Sequence, residues 1–167
     1  MKKVLLLGFC FLLTACGFHL RGTAALPFET LYISFPQGHP IGTDLRRLIA
    51  SGTSTRIVDD AKKAQAVLEI TSVTSDRQIM SVSGGGRVRE FELRYRVSFR
   101  LTDAKGGELI PTNEIILHRI LPFTDAQVVS KEGEEAMLIR EMQSDSAAQI
   151  VRRLEAVKIA EADKTPQ

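Results

Sequence analysis

The sequence predicts an α+β fold: a single, mainly antiparallel four-stranded sheet with two helices packed on one face. Residues Arg87–Thr102 alternate between apolar and polar side chains, which is typical of a strand with one buried and one solvated face. Two other stretches, Pro40–Ser51 and Ser130 to about Lys158, each carry one apolar stripe with helical spacing. Because neither helix can bury its stripe alone, both are expected to cover the sheet.

The first two elements are a strand and a helix. Thr30–Phe35 is rich in β-branched and aromatic residues and stops at Pro36, which predicts strand 1. The helix that follows has Pro40 at a suitable first position and Gly52 just past its predicted end. Its apolar face is formed by Ile41, Leu45, Leu48 and Ile49.

The middle of the chain predicts a short connection followed by three long strands. Thr55–Val58 is a short extended piece, and Ala61–Ala64 is either a polar connection or a short turn of helix. Pro111 predicts an edge position or a bulge, because proline cannot donate a hydrogen bond to a neighbouring strand. Sequential antiparallel pairing is expected for the strands Ala66–Met80, Arg87–Thr102 and Glu108–Leu121, which the turn Ser81–Gly86 and the loop Asp103–Gly107 connect.

The last helix is expected to begin at Ser130, whose hydroxyl suits a capping position. Three glutamates near this end suit the positive end of the helix dipole; they are Glu132, Glu134 and Glu135. Residues 159–167 read as a polar tail, so residues 28–158 are predicted to form a single α/β sandwich domain. The apolar stripe of the helix comprises Ile139, Met142, Ala147, Ile150, Leu154 and Val157.

The start of the chain indicates export. Lys2 and Lys3 precede an apolar segment that ends in the small residues before Cys16, which is the order of zones in a secretory signal. The segment from Val4 to Ala15 would extend only about 18 Å as a helix, against about 30 Å of hydrocarbon core. It is therefore too short to span a membrane.

The residues Leu-Thr-Ala-Cys at positions 13–16 resemble the lipobox of bacterial lipoproteins. The resemblance implies that residues 1–15 are a cleaved lipoprotein signal peptide and that residues 16–27 form a lipidated tether. Cys16 would then carry a covalent N-palmitoyl and S-diacylglycerol lipid. Gly17 is not the aspartate that commonly retains such proteins at the inner membrane, so the outer membrane is favoured. The alternative is an ordinary cleaved signal with a chance cysteine.

Composition and motifs argue against several function classes. The chain has 22 basic and 20 acidic residues, and loss of Lys2 and Lys3 leaves equal numbers, so nucleic-acid binding lacks compositional support. Cys10 would leave with the signal, so no disulfide is expected. The Gly84–Gly86 run lacks the Lys-Ser/Thr of a phosphate loop, and no metal-binding histidine spacing or Gly-x-Ser-x-Gly motif occurs. We therefore expect no metal, no cofactor beyond the lipid, and no enzyme activity.

The residues Cys-Gly-Phe-His-Leu-Arg-Gly at positions 16–22 resemble the opening of the LptE family of lipopolysaccharide-assembly lipoproteins. The order of elements and the Ile-Arg-Glu-Met stretch at 139–142 are also similar to that family. The resemblance implies an outer-membrane lipoprotein held by its lipid at the periplasmic leaflet. Such a protein plugs the LptD β-barrel, assists its assembly, and binds lipopolysaccharide during delivery to the outer leaflet.

The resemblance also implies ligand residues. Family members are thought to contact lipopolysaccharide through basic residues near the turn between strands 2 and 3, Ala66–Met80 and Arg87–Thr102, and at the start of the last helix. Lys131 matches the helix position, and Arg87, with Arg89 beside it, is the nearest candidate at the turn. Gly84 aligns where a basic residue is expected, which is a departure from the family pattern.

Three further arginines, Arg94, Arg96 and Arg100, share the polar face of the alternating strand. Three interpretations stay open for them: a solvated face partly balanced by glutamates, a phosphate-binding site, or contacts with the polar lumen wall of the barrel. Two alternative functions also stay open for the whole chain. One is a lipoprotein pilot or adaptor for another envelope or secretion component, and the other is a periplasmic hydrolase without a visible motif.

Overall fold

Five strands form one mixed sheet in the computed structural model, which describes residues 26–36, 38–123 and 128–157. The predicted signal peptide, Cys16 and the polar tail lie outside the described residues. In chain order the elements are β1 (Thr30–Ser34), α1 (Ile41–Gly52), β2 (Arg56–Ile57), a short 3-10 helix (Ala61–Lys63), β3 (Ala66–Val82), β4 (Val88–Asp103), β5 (Glu108–Pro122) and α2 (Val128–Glu155).

The strand order is β2-β1-β3-β4-β5, which confirms the α+β class and corrects the predicted four-stranded, mainly antiparallel sheet. β1 pairs in parallel with both β2 and β3, whereas the β3–β4 and β4–β5 pairs are antiparallel, as predicted. Helix α1 is the crossover that returns the chain parallel to β1. The fifth strand, β2, lies inside the predicted extended piece and has only two residues, too few to show any periodicity.

Both helices contribute to a core on one face of the sheet, as the apolar stripes predicted. The inward side chains of β4 are buried from Leu93 to Leu101, whereas the polar residues between them lie on the opposite face, which no described element covers. We call that second surface the open face. The buried side chains of β4 are Leu93, Tyr95, Val97, Phe99 and Leu101.

Helix α1 buries the predicted side chains Ile41, Leu45 and Ile49 completely. Its end differs from the prediction, because Gly52 is the last helical residue and does not follow the helix. Thr53 closes the helix: its backbone N–H and its hydroxyl both donate to the carbonyl of Ile49, at 3.0 and 2.8 Å.

Helix α2 begins two residues earlier than predicted, at Val128, so Ser130 lies inside its first turn and is not the residue before the helix. The first turn contains no acidic residue, and the glutamates expected at the helix dipole fall one turn or more further along. The predicted apolar stripe is confirmed at the positions where α2 packs into the core. Its fully buried members are Met142, Ala147, Ile150 and Leu154.

The β3–β4 hairpin extends well beyond the part of the sheet that the other strands share. β1 pairs with β3 only over Ala66–Glu69, and no side chain of β3 after Ile70 is buried. Among the described strands, the outer part of β3 is therefore a sheet edge that pairs only with β4, with register shifts near Ile70 and Ile79. Bulges of this kind are a common way to blunt an exposed edge.

The predicted irregularity at Pro111 is confirmed. β5 is the last strand of the sheet order, and its register with β4 shifts between the pairs Phe99–Asn113 and Leu101–Ile110. Pro111 lies within that shift. Its missing N–H therefore removes no regular ladder hydrogen bond.

Candidate functional site

The far end of the β3–β4 hairpin, residues 79–89, is called the hairpin tip below. Ser83 and Arg87 close its turn: the N–H of Ser83 donates to the carbonyl of Arg87 at 2.7 Å, and the N–H of Arg87 donates to the hydroxyl of Ser83 at 3.2 Å. Gly86 has φ +77°, a conformation that glycine adopts without strain. Arg87 therefore lies in the turn. The prediction that β4 begins at Arg87 is wrong by one residue, because the strand begins at Val88.

Arg87 and Arg89 both have exposed side chains at the hairpin tip. The carbonyl of Arg89 accepts a hydrogen bond from the N–H of Phe123 at 2.7 Å. The Phe123 ring meets the Phe91 ring edge-on, with centroids 5.2 Å apart. These contacts fasten the end of β5 to the base of the tip and fix where the backbone of Arg89 lies.

Lys131 lies toward the same end of the molecule as the hairpin tip. Two contacts give the direction of α2 along the sheet: Arg77 pairs with Glu135 at 2.6 Å, and Arg153 bonds to Asn113 at 2.5 Å. Arg77 is opposite Leu93 and Asn113 is opposite Phe99, so α2 runs away from the tip. Lys131 precedes Glu135 by one turn, about 6 Å along the axis, on the side of the tip.

The ammonium of Lys131 already has a partner. Its Nζ lies 2.6 Å from Oε2 of Glu134, one helical turn away, and only 15% of its side chain is exposed. A phosphate would therefore have to compete with a carboxylate for this cation. Of the three predicted ligand residues, the two arginines are the more accessible.

Three large apolar side chains are exposed at the hairpin tip, and the sequence reasoning did not single them out. Ile79 is 61% exposed, Met80 53% and Val82 56%. A signal was present, because neighbouring residues of a strand point to opposite faces. Ile79 and Met80 therefore could not both have belonged to a single buried face.

The three remaining predicted arginines lie on the open face, each near a carboxylate. Arg94 Nε is 2.9 Å from Glu92, and Arg94 also donates to Gln78. Arg100 is 2.6 Å from Glu69 on β3. Arg96 Nε lies 3.6 Å from Glu114 on β5, which is beyond hydrogen-bond distance.

These pairs favour the solvated-face interpretation in the isolated chain, since opposite charges alternate across three strands. Each is at least a quarter exposed, so each contributes only about 0–1 kcal/mol. On β5, His118 Nδ1 lies 3.4 Å from Glu92. Ile116 and Ile120, which are 43% and 52% exposed, flank this histidine on the same face. The open face is thus polar, nearly balanced in charge, and bordered by an apolar edge.

A small polar cluster lies between the two helices and the sheet. Asp44 of α1 accepts a hydrogen bond from the amide of Gln143 of α2. The hydroxyl of Tyr95 is buried beside them and has no hydrogen-bond partner within the described ranges. Burial, with a smaller contribution from the charge of Asp44, raises the pKa of Tyr95 far above its ordinary value.

The opposite end of the sheet carries a depression of about 580 Å³ that is wide open to solvent. Its lining is formed by Leu26, Pro27, Phe28, Glu29, Ser54 and Arg56. Residues 26–36, 38–123 and 128–157 contain no cluster of three or more His, Cys, Asp or Glu side chains that could hold a metal ion. Neither described α-helix is long and apolar enough to cross a membrane.

Comparison with known proteins assigns the family. The model of the lipopolysaccharide-assembly family LptE matches residues 28–154, which include every strand and nearly all of α2. The chain belongs to the LptE family. The curated LptE of Yersinia enterocolitica is 31% identical over 168 residues, which cover 95% of this chain and 77% of that protein. LptE of Yersinia pestis is 32% identical over 96% of this chain and 79% of its own.

Two solved lipoprotein structures share the fold of this chain. Lipoprotein B of Nitrosomonas europaea is 48% identical and superposes with a TM-score of 0.74, covering 84% of this chain and 91% of that chain. The rare lipoprotein B of Shewanella oneidensis is 25% identical, with a TM-score of 0.66 over 76% of this chain and 94% of its own. The predicted resemblance to LptE lipoproteins is confirmed.

Proposed function

We propose that this chain is a non-enzymatic outer-membrane lipoprotein that plugs the LptD β-barrel, assists its assembly and binds lipopolysaccharide on its way to the outer leaflet. Membership of the LptE family supports the assembly role. The lipobox at Cys16 supports a lipid anchor at the periplasmic leaflet. The proposal needs a scaffold that presents lipopolysaccharide-binding groups far from that anchor.

The arrangement of the sheet supports such a scaffold. β1 begins beside Ala66, at the start of β3, so the chain that leads from Cys16 enters the fold at the end opposite the hairpin tip. β3 has 17 residues, which correspond to about 53 Å at about 3.3 Å per residue. A bilayer with its headgroups measures about 40–45 Å. Inside a barrel, a chain anchored at the inner leaflet would carry its tip to the level of the outer leaflet.

The basic groups at this distal end carry the ligand part of the proposal. Arg87 and Arg89 are exposed at the tip, and Lys131 lies toward the same end on α2. Guanidinium groups bind phosphates through paired, charge-assisted hydrogen bonds, and lipopolysaccharide presents phosphates. Lys131 would contribute only where a phosphate replaces Glu134 as its partner.

A displacement assay with fluorescent lipopolysaccharide tests these residues. We expect the double variant Arg87→Glu/Arg89→Glu to bind at least about tenfold more weakly, a loss of about 1.4 kcal/mol, and Lys131→Glu to show a smaller loss. Lys105→Glu is the matched control, since Lys105 is exposed in the β4–β5 turn at the opposite end. Equal binding by the tip variants and the wild type would contradict the proposed ligand site but would not contradict the plug role.

Isolation of the lipidated protein from its native outer membrane in mild detergent tests the partner. We expect a large β-barrel of the LptD type to accompany it stoichiometrically and to separate only on denaturation. Recovery of the protein alone, or with a secretion-system component, would contradict the plug role. The second of those results would support the pilot or adaptor alternative.

A further inference from the structure

We propose that the hairpin tip binds the acyl chains of lipopolysaccharide through Ile79, Met80 and Val82, beside the arginines that bind its phosphates. This inference rests on the proposed function and deepens it. It assigns the fatty-acid part of the ligand to a surface formed by different side chains from those that bind phosphate.

These three exposed side chains have no packing role among the residues that the structure describes. Among the described residues, β3 contributes Ala66, Leu68 and Ile70 to the buried core and Val73 as a partly buried neighbour, whereas none of the three tip residues packs against it. Exposed apolar residues on an outer strand are an aggregation hazard. Apolar groups concentrated at the end of a projecting hairpin are instead typical of an interaction site.

The strand register places the apolar groups together at the end of the hairpin. Ile79 is opposite Phe91 on the face toward α2, and Val82 is opposite Val88. Met80 lies at the first of two register shifts between these pairs. The hairpin is two strands wide at this end, so the tip presents a narrow apolar wedge, a shape that can enter a layer of packed acyl chains.

Charge complementarity selects the occupant. Arg87 and Arg89 are exposed within a few residues of the apolar wedge, so the tip combines cations with apolar surface. A purely apolar partner would contact the wedge but not the arginines, and a purely polar anion would leave the wedge in water. An anionic amphiphile satisfies both, and lipopolysaccharide joins phosphates directly to acyl chains.

The test compares the wild-type full-length protein with the variant Ile79→Thr/Met80→Gln/Val82→Thr, which retains side chains that strands accept. Each protein is titrated with intact lipopolysaccharide, with the same lipopolysaccharide after alkaline removal of its acyl chains, and with phosphatidylglycerol vesicles. Ile116→Thr is the matched control, because Ile116 is a similarly exposed isoleucine on the open face.

We expect the wild type and Ile116→Thr to bind intact lipopolysaccharide at least about tenfold more tightly than the deacylated form. The triple variant should lose this preference and should bind the deacylated form as the wild type does. Binding to phosphatidylglycerol vesicles should be weaker than binding to intact lipopolysaccharide for every protein.

Three results would overturn the inference. Equal wild-type binding to intact and deacylated lipopolysaccharide would mean that no acyl chain is contacted, whereas the Arg87 and Arg89 results could still support the proposed function. A triple variant that loses binding to both forms equally would mean that these residues maintain the shape of the tip and do not contact acyl chains. Equally tight binding to phosphatidylglycerol vesicles would indicate a general anionic lipid surface. Failure of the wild type to bind any lipopolysaccharide would instead contradict the proposed function itself.

Discussion

At the scale of single residues, Tyr95 is buried with a hydroxyl that lacks a hydrogen-bond partner among the described residues. A buried, unpaired polar group costs about 1–3 kcal/mol, and Tyr95 is only 1% exposed. We therefore expect Tyr95→Phe to leave the free energy of unfolding unchanged or to raise it by about 1 kcal/mol. Urea unfolding measures this change, and a loss of stability would show that the hydroxyl has a partner such as Asp44.

His39 connects the stability of α1 to pH. Its Nδ1 accepts a hydrogen bond from the N–H of Ile41 at 3.3 Å, so the ring is neutral there, and burial lowers the pKa of His39 below its ordinary value of 6.5. The unfolded chain therefore binds a proton at a higher pH than the folded chain does. The stability associated with neutral His39 is present above about pH 6.5 and is lost as the pH falls toward the lower, folded-state pKa.

The variant His39→Asn isolates this contribution, because an asparagine carbonyl can accept the same N–H and does not titrate. We expect the wild type to lose more stability than His39→Asn between about pH 7.5 and about pH 5.5 in urea unfolding. Parallel pH dependence of the two proteins would assign the acid sensitivity to other groups.

At the scale of elements, two methionines of α2 test the predicted apolar stripe. Met142 is completely buried, whereas Met137 is 54% exposed on the same helix. Truncation of a buried methionine removes its packing and leaves a cavity, so Met142→Ala should cost about 2–4 kcal/mol of unfolding free energy. Met137→Ala should change it by less than about 0.5 kcal/mol. Thermal and urea unfolding of both variants measure the difference, and similar losses would mean that α2 does not pack by this stripe.

The elements that the sequence predicts correctly are those with a long periodic pattern. The alternation of β4 and the stripes of both helices depend on many residues, so single exceptions do not hide them. The two-residue strand β2 and the parallel pairing of β1 depend on how α1 crosses the sheet, which no local pattern records. The start of α2 was predicted two residues late because Ser130 is a good capping residue that the fold places inside the first turn.

At the scale of the whole molecule, the sequence identifies candidate ligand arginines but does not predict the surface around them. Arg87 and Arg89 were candidates because of a family resemblance, and the exposure that makes them accessible is set by how far the hairpin extends beyond the core. Strand alternation shows that Ile79 and Met80 cannot share one buried face, but it does not show that Ile79 is exposed, because the same side chain in a shorter hairpin would lie under α2. The partner of Lys131 is one helical turn away and could have been read from the i, i+3 spacing to Glu134.

The arginines of the open face can be tested for a contact with the barrel. In the isolated chain Arg100 is paired with Glu69, and exposed pairs of this kind contribute about 0–1 kcal/mol. We therefore expect the triple variant Arg94→Glu/Arg96→Glu/Arg100→Glu to remain folded. If these arginines face carboxylates of a lumen wall, the variant should co-purify with much less LptD barrel from its native membrane.

The charge swap Glu69→Arg/Arg100→Glu separates the two roles of Arg100. The swap restores an ion pair between β3 and β4, so stability should match the wild type, but it moves the cation to the neighbouring strand. Recovery of the barrel at the wild-type level by the swap would mean that Arg100 acts only within the sheet. Reduced recovery with unchanged stability is the expected result, because a preformed wall of fixed charges recognises the position of a cation and not merely its presence.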